Sequence, residues 1–99
     1  MKELLMDSFY HSTDHKGGSF FYEENGRRLA ELNYIRAGDR QIIIDHTTVD
    51  DSLKGQGIGK RLLSNLVIFV RENQIRVIPL CPFATATFRK IHEWQDVLA

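Results

Sequence analysis

Lys54-Gly55-Gln56-Gly57-Ile58-Gly59-Lys60 carries three of the chain's seven glycines, and the residue pattern changes period across it. Glycines leave main-chain N–H groups uncovered, and a helix beginning directly after them adds the positive end of its dipole. Free donors at a helix start make a cradle for an anion, above all a phosphate or pyrophosphate. The flanking segments decide which kind of cradle this is.

Upstream, the pattern is that of antiparallel strands. Arg40 to Val49 is the strongest, with β-branched residues at Ile42, Ile43, Ile44, Thr47, Thr48 and Val49. Leu29 to Ile35 alternates, with Ala30, Leu32 and Tyr34 on one face. Ser19 to Glu24 precedes it across Asn25-Gly26, the dipeptide of a two-residue hairpin turn. Ala37-Gly38-Asp39 turns the chain again. Residues 4–10 read as a weaker strand, and residues 11–18 as a polar loop. Downstream, Leu62, Leu66, Phe69 and Val70 recur at helical spacing from Ile58, widened by Leu63 and Val67. Asn73-Gln74 ends that helix, residues 75–78 form a short strand stopped by Pro79, and Pro82 opens a last helix. Ala84, Phe88 and Ile91 make the core side of the last helix, with Trp94 or Leu98 closing its end. The order is β-β-β-(β)-α-β-α, an α+β fold with a mixed, mostly antiparallel sheet, and residues 1–99 form a single domain.

Composition narrows the function. Apolar residues at 42% and charged residues at 26% suit an ordinary globular domain. No apolar run approaches the roughly 20 residues of a membrane span, and Met1-Lys2-Glu3-Leu4-Leu5 does not develop into a signal peptide. The lone Cys81 has no partner for an internal disulfide, which fits a reduced thiol in the cytoplasm. Residues 1–53 hold six Lys/Arg against ten Asp/Glu (−4), and residues 54–99 hold seven against three (+4). The positive half begins at the glycine loop, as an anionic ligand there would favour. A neutral chain without a basic, aromatic-studded stripe is not expected to bind nucleic acid. His11 and His15 stand four apart, but Ser12, Thr13, Asp14 and Gly17 around them suit a loop. No third ligand accompanies them, so no metal is expected.

Two phosphate motifs fail on the glycine loop. A P-loop would put its first glycine at Lys54 and its hydroxyl at Arg61. The dinucleotide fingerprint needs Gly-x-Gly-x-x-Gly in a βαβ unit, whereas the spacing here is Gly-x-Gly-x-Gly after antiparallel strands. A third pattern fits. Val49 to Gly59 resembles motif A of the Gcn5-related N-acetyltransferases, Gln/Arg-x-x-Gly-x-Gly/Ala, with Lys54, Gly57 and Gly59 at its positions. Lys54 departs from the usual first residue while keeping a charge. His46-Thr47-Thr48-Val49, Pro79-Leu80-Cys81-Pro82-Phe83 and Phe88-Arg89-Lys90-Ile91-His92-Glu93-Trp94 look like the small single-domain proteins of the YjdJ type within that family. The likeness covers roughly residues 18–98.

The resemblance implies a three-layer α/β arrangement whose sheet splays at a cofactor cleft. It also implies acetyl-coenzyme A as cofactor and an unidentified amine as acceptor, a protein lysine or flexible tail being one candidate. Val49, Lys54, Gly55, Gln56, Gly57, Ile58, Gly59 and Lys60 would hold the coenzyme, together with Pro82 and Phe88. Cys81 falls where the acetyl group would lie. Three readings stay open for it: a nucleophile that takes the acetyl group first, a wall of the acetyl pocket, or an inert buried thiol. Asp45 and His46 sit on the central strand, and alternation turns one of them to the cleft; His46 reads either as a general base near neutral pH or as a histidine satisfied inside the sheet or at its surface. The family's tyrosine in the last helix is absent; Phe88 stands in that region. Alongside an N-acetyltransferase, the chain therefore also reads as an acyl-coenzyme A-binding module with little transfer. The stretch from Ser8 to Gly18 is too short for the helical cover of larger relatives, so the acceptor side should be open to a flexible tail or lysine.

Overall fold

The computed structural model describes residues 2–99. Six strands, β1 (Lys2–Met6), β2 (Phe9–Thr13), β3 (Gly17–Glu24), β4 (Arg27–Arg36), β5 (Gln41–Val49) and β6 (Arg76–Pro79), form one sheet in sequence order. The first five run antiparallel, and β6 joins β5 in parallel through the crossover helix α1 (Ile58–Glu72). Helix α2 (Pro82–Lys90) and a 3-10 segment, His92–Val97, complete the chain.

Asn25 and Gly26 take φ of 50° and 78°, the left-handed turn that their chemistry favours, and set Glu24 opposite Arg27. The residues expected on one face of β4, Ala30, Leu32 and Tyr34, are all buried. So are Leu62, Leu63, Leu66, Val67 and Val70 of α1. Each such side chain contributes about 1.5–3 kcal/mol through removal from water, and this apolar stripe holds α1 on the sheet.

Residues 2–18 differ from the sequence reading. There are two strands where one weak strand and a polar loop were expected, joined by Asp7 and Ser8 at φ of 50° and 71°. Neither residue is a glycine or asparagine, so the turn carries no strong signal. His11, expected in the loop, is buried on β2 opposite Phe20 of β3. At the other end α2 stops at Lys90. Ile91 is its C-cap and only half-buried, whereas Trp94 and Leu98 pack against the core as expected and Val97 of the 3-10 segment is buried within it.

Both helices pack on the same face of the sheet. Leu66 and Val70 of α1, Ala84 and Phe88 of α2, and Val97 share one core with Ile42, Ile44 and Val77. On the opposite face Ile35, His46 and Thr48 are exposed, and Ile43 and Ile78 are half-buried. The layer that the resemblance puts on that face is not formed by the described residues. No segment between β1 and β5 is long enough to become a covering helix.

Candidate active site

The site lies where β5 and β6 part. They pair only from Gln41–Arg76 to Ile44–Pro79. Beyond this the N–H groups of Leu80 and Cys81 both donate to the carbonyl of Ile44, at 3.0 and 3.2 Å, and the β6 chain turns away into α2. β5 runs on alone to Val49, so its side towards β6 meets no strand. This is the splay expected from the sequence.

A bulge decides which β5 side chains enter the gap. Asn33 pairs with His46 and Tyr34 with Ile44, leaving Asp45 as an extra residue. Ile42 and Ile44 face the core. After the bulge Thr47 and Val49 face it too, opposite the buried Leu32 and Ala30. His46 is thereby turned to the uncovered face, away from Cys81. The expectation that Asp45 or His46 enters the cleft by simple alternation is thus corrected: the bulge shifts the register and Thr47 takes that place.

The glycine loop begins at Asp50. Its Oδ2 accepts from the Ser52 hydroxyl at 2.6 Å and the Ser52 N–H at 3.0 Å, and these bonds hold its carboxyl below the usual carboxylate range. A 3-10 turn, Asp51–Leu53, follows with Leu53 buried beneath it. The Gln56 N–H is committed to this turn, donating to Leu53 O at 3.3 Å, and the Gln56 side-chain amide reaches Ser52 O at 3.4 Å. Gly57 then caps α1 in the left-handed region at φ 73°, where a Cβ would be strained. The first helical bond runs from Arg61 N–H to Gly57 O at 3.1 Å. Among the described residues, no protein acceptor meets the N–H groups of Gly55, Gly57, Ile58, Gly59 or Lys60. Of the seven loop positions, Gln56 alone has its amide spent on the loop's own turn besides Lys54, whose N–H reaches Asp51 O at 3.2 Å.

The loop borders a concavity of about 270 Å³ that Val49, Leu53, Lys54, Gly57, Gly59 and Lys60 line together. Lys54 Nζ rests 3.0 Å from Asp51 Oδ1 with both side chains exposed, a pair that stabilises little and gives way readily to a ligand. Phe83, absent from the sequence-based list, forms the far wall. Its ring packs so closely on Gly59 that a Cβ there would lie 2.9 Å from its Cζ. Phe88, which was on that list, is 2% exposed in the core with its ring edge-on to Trp94, so its side chain does not reach the concavity. Helical spacing explains the exchange, since Ala84 and Phe88 turn inward together and Phe83 must point elsewhere. Pro82 is exposed at the first turn of α2.

Cys81 is 6% exposed and caps the N-terminus of α2. Its Sγ accepts from the Ala84 N–H at 3.3 Å and lies 3.3 Å from Thr47 Oγ1. Thr47 was not singled out from the sequence, and without the bulge it would face away. Among the described residues no group of three or more His, Cys, Asp or Glu side chains is arranged to hold a metal ion, and no helix is long and apolar enough to cross a membrane.

The arrangement has known counterparts. The solution structure of a GCN5-like protein from Staphylococcus aureus is 36% identical, with 95% of this chain and 91% of that chain covered and a TM-score of 0.70. An aminoglycoside acetyltransferase from an uncultured soil sample, in complex with sisomicin, shares the fold at 18% identity and a TM-score of 0.65; 78% of this chain spans only 57% of that one. A ribosomal-protein-alanine N-acetyltransferase from Brucella melitensis shares it at 20% identity and a TM-score of 0.61, with 87% and 65% covered. No curated protein matches the chain. The sequence profile described as GCN5-related N-acetyl-transferase matches residues 19–97. A match over four-fifths of the chain, on a splayed sheet with a glycine loop at the start of the crossover helix, leaves one conclusion: this protein belongs to the GCN5-related N-acetyltransferases.

Proposed function

We propose that the chain transfers an acetyl group from acetyl-coenzyme A to an amine presented on a flexible protein segment. The observation that carries this reading is the set of five unengaged main-chain N–H groups at the start of α1, beside the unpaired end of β5. They suit the pyrophosphate of the coenzyme, with Lys54 and Lys60 adding positive charge and Phe83 bounding the space. The pantetheine arm then runs along the free side of β5 like an added strand and brings the thioester towards Thr47 and Cys81.

Transfer needs the amine nitrogen to attack the thioester carbonyl carbon. The carbon–sulfur bond breaks, the coenzyme thiolate leaves, and the proton released by the amine neutralises that thiolate. Holding donor and acceptor in contact supplies several kcal/mol of the barrier, and a main-chain N–H at the cleft stabilises the developing oxyanion. The uncovered outer face of the sheet, with His46 and Thr48 exposed on it, leaves room for a bulky acceptor. A second reading is favoured by the Ala84 N–H bond to Cys81 Sγ. The sulfur attacks the thioester first, the coenzyme leaves, and the amine then takes the acetyl group from Cys81. Titration with coenzyme A and thioester consumption with a panel of lysine-bearing peptides test the first reading. Binding without turnover on any amine reduces the chain to an acyl-coenzyme A-binding module. Acetyl recovered on Cys81 in a peptide digest after single-turnover mixing selects the second reading.

A further inference from the structure

A second concavity, of about 420 Å³, lies on the outer flank of α1 and shares no lining residue with the glycine loop. β1 and α1 form its walls, with Met6 63% exposed on one side and Ile68 52% exposed on the other. Phe69 and Phe20 give it an apolar floor. Exposed apolar side chains gathered around one hollow are a recurrent mark of a ligand site.

Apart from Asn65, whose amide both donates and accepts, the polar side chains lining this hollow are acceptors. His11, 6% exposed, lies in the floor, and its ring stacks on Phe20 with centroids 4.0 Å apart. Its one hydrogen bond joins Nε2 to Tyr34 Oη at 2.7 Å. Tyr34 Oη donates onward to Thr13 Oγ1 at 3.1 Å, and Thr13 Oγ1 donates to Gly17 O at 3.2 Å. That chain requires Nε2 to carry the proton, so Nδ1 is left as an acceptor. No described residue meets Nδ1, and no side-chain nitrogen or oxygen that is fully buried lacks a partner, so Nδ1 opens into the hollow. Burial, and secondarily the Arg36 charge, lower the His11 pKa to about 4, which keeps the ring neutral and this acceptor available. Glu3 stands opposite His11 in the β1–β2 register, and Glu72 faces it from α1. Neither carboxylate has an ion-pair partner among the described residues, and no basic side chain lines the hollow.

We infer that this hollow binds a small apolar amine, with its ammonium between His11 Nδ1 and the Glu3 and Glu72 carboxylates and its apolar body against Ile68, Phe69 and Met6. Three acceptors, two of them carboxylates, outnumber the single Asn65 amide among the lining side chains, and beside an apolar floor they match a molecule that brings both a cationic donor and the hydrocarbon. A second copy of this chain does not fit, because a two-fold contact here would set Glu3 and Glu72 against their own copies.

The test uses the whole chain and 2-phenylethylamine as probe, followed by NMR of the His11 ring and the Ile68 methyl groups. The expected result is saturable shifts at both residues at millimolar amine and binding about tenfold weaker for 2-phenylethanol, equivalent to about 1.4 kcal/mol. Glu72→Gln and Ile68→Asn, both at the surface and compatible with folding, each weaken the amine several-fold while coenzyme A affinity is unchanged. Equal binding of the alcohol, shifts confined to Phe83 and the glycine loop, or no shift at His11 and Ile68 overturns the inference.

Discussion

Gly59→Ala tests the link between the glycine loop and the coenzyme. The added Cβ would sit 2.9 Å from Phe83 Cζ and 3.4 Å from Cε1 and Cε2, while ordinary contact begins at 3.4 Å. The ring must therefore withdraw by at least 3.4 − 2.9 = 0.5 Å, and at 38% exposure it has room to do so. Moving it costs about 1 kcal/mol, within the range of an off-rotamer side chain. Alanine inside the first turn of α1 returns about the same amount in helix propensity, so the melting temperature should change little. Binding should respond differently. With the pyrophosphate placed as proposed, the methyl and the displaced ring intrude on the ligand's space and weaken the charge-assisted bond at the Gly59 N–H, worth about 1.5–3 kcal/mol. Coenzyme A affinity then falls roughly tenfold or more. Isothermal titration and thermal unfolding of wild type, Gly59→Ala and Phe83→Ala separate the two effects. Wild-type coenzyme affinity in folded Gly59→Ala refutes the placement of the pyrophosphate on these amides.

Four further outcomes follow from the geometry. On the second reading, in which the sulfur carries the acetyl group, Cys81→Ala should abolish turnover while leaving coenzyme A affinity within about twofold; unchanged turnover, read by thioester consumption, would dispose of the sulfur as nucleophile. Thr47→Val removes the hydroxyl 3.3 Å from Cys81 Sγ and should lower turnover several-fold while coenzyme A affinity stays within about twofold; unchanged turnover, read by thioester consumption, would show that this contact does not serve the reaction. Phe88→Ala should destabilise the fold by about 3–5 kcal/mol in urea denaturation as a core truncation, with coenzyme affinity of the folded protein retained. His11 binds its proton less readily folded than unfolded, so the unfolded chain holds more protons between pH 6.5 and about 4. The stability it contributes is therefore complete above pH 6.5 and is lost as pH falls towards 4, by at most about 3 kcal/mol. Calorimetry across that window against a His11→Asn variant isolates the effect.

Some of this molecule is written locally. The Asn25-Gly26 turn, the inner face of β4 and the stripe of α1 depend on neighbouring residues and one period, and each stands in the structure where the spacing put it. The glycine loop belongs to the same class, because left-handed Gly57 and the absence of side chains are properties of the residues themselves. The β1–β2 hairpin was illegible because Asp7 and Ser8 adopt left-handed angles that tertiary pairing imposes and their types do not demand.

The exchanges at the site have a different origin. Alternation along β5 would have sent His46 inward, but pairing with β4 inserts Asp45 as a bulge, and a one-residue shift reverses every side chain beyond it. Phe83 and Phe88 are chemically equivalent rings, and only the seating of α2 on the core sends one inward and leaves the other against Gly59. Local residue chemistry settles the donors, the turn and the helix that follows. Tertiary structure alone decided which side chains share their cleft, because facing is settled by register between segments far apart in the chain.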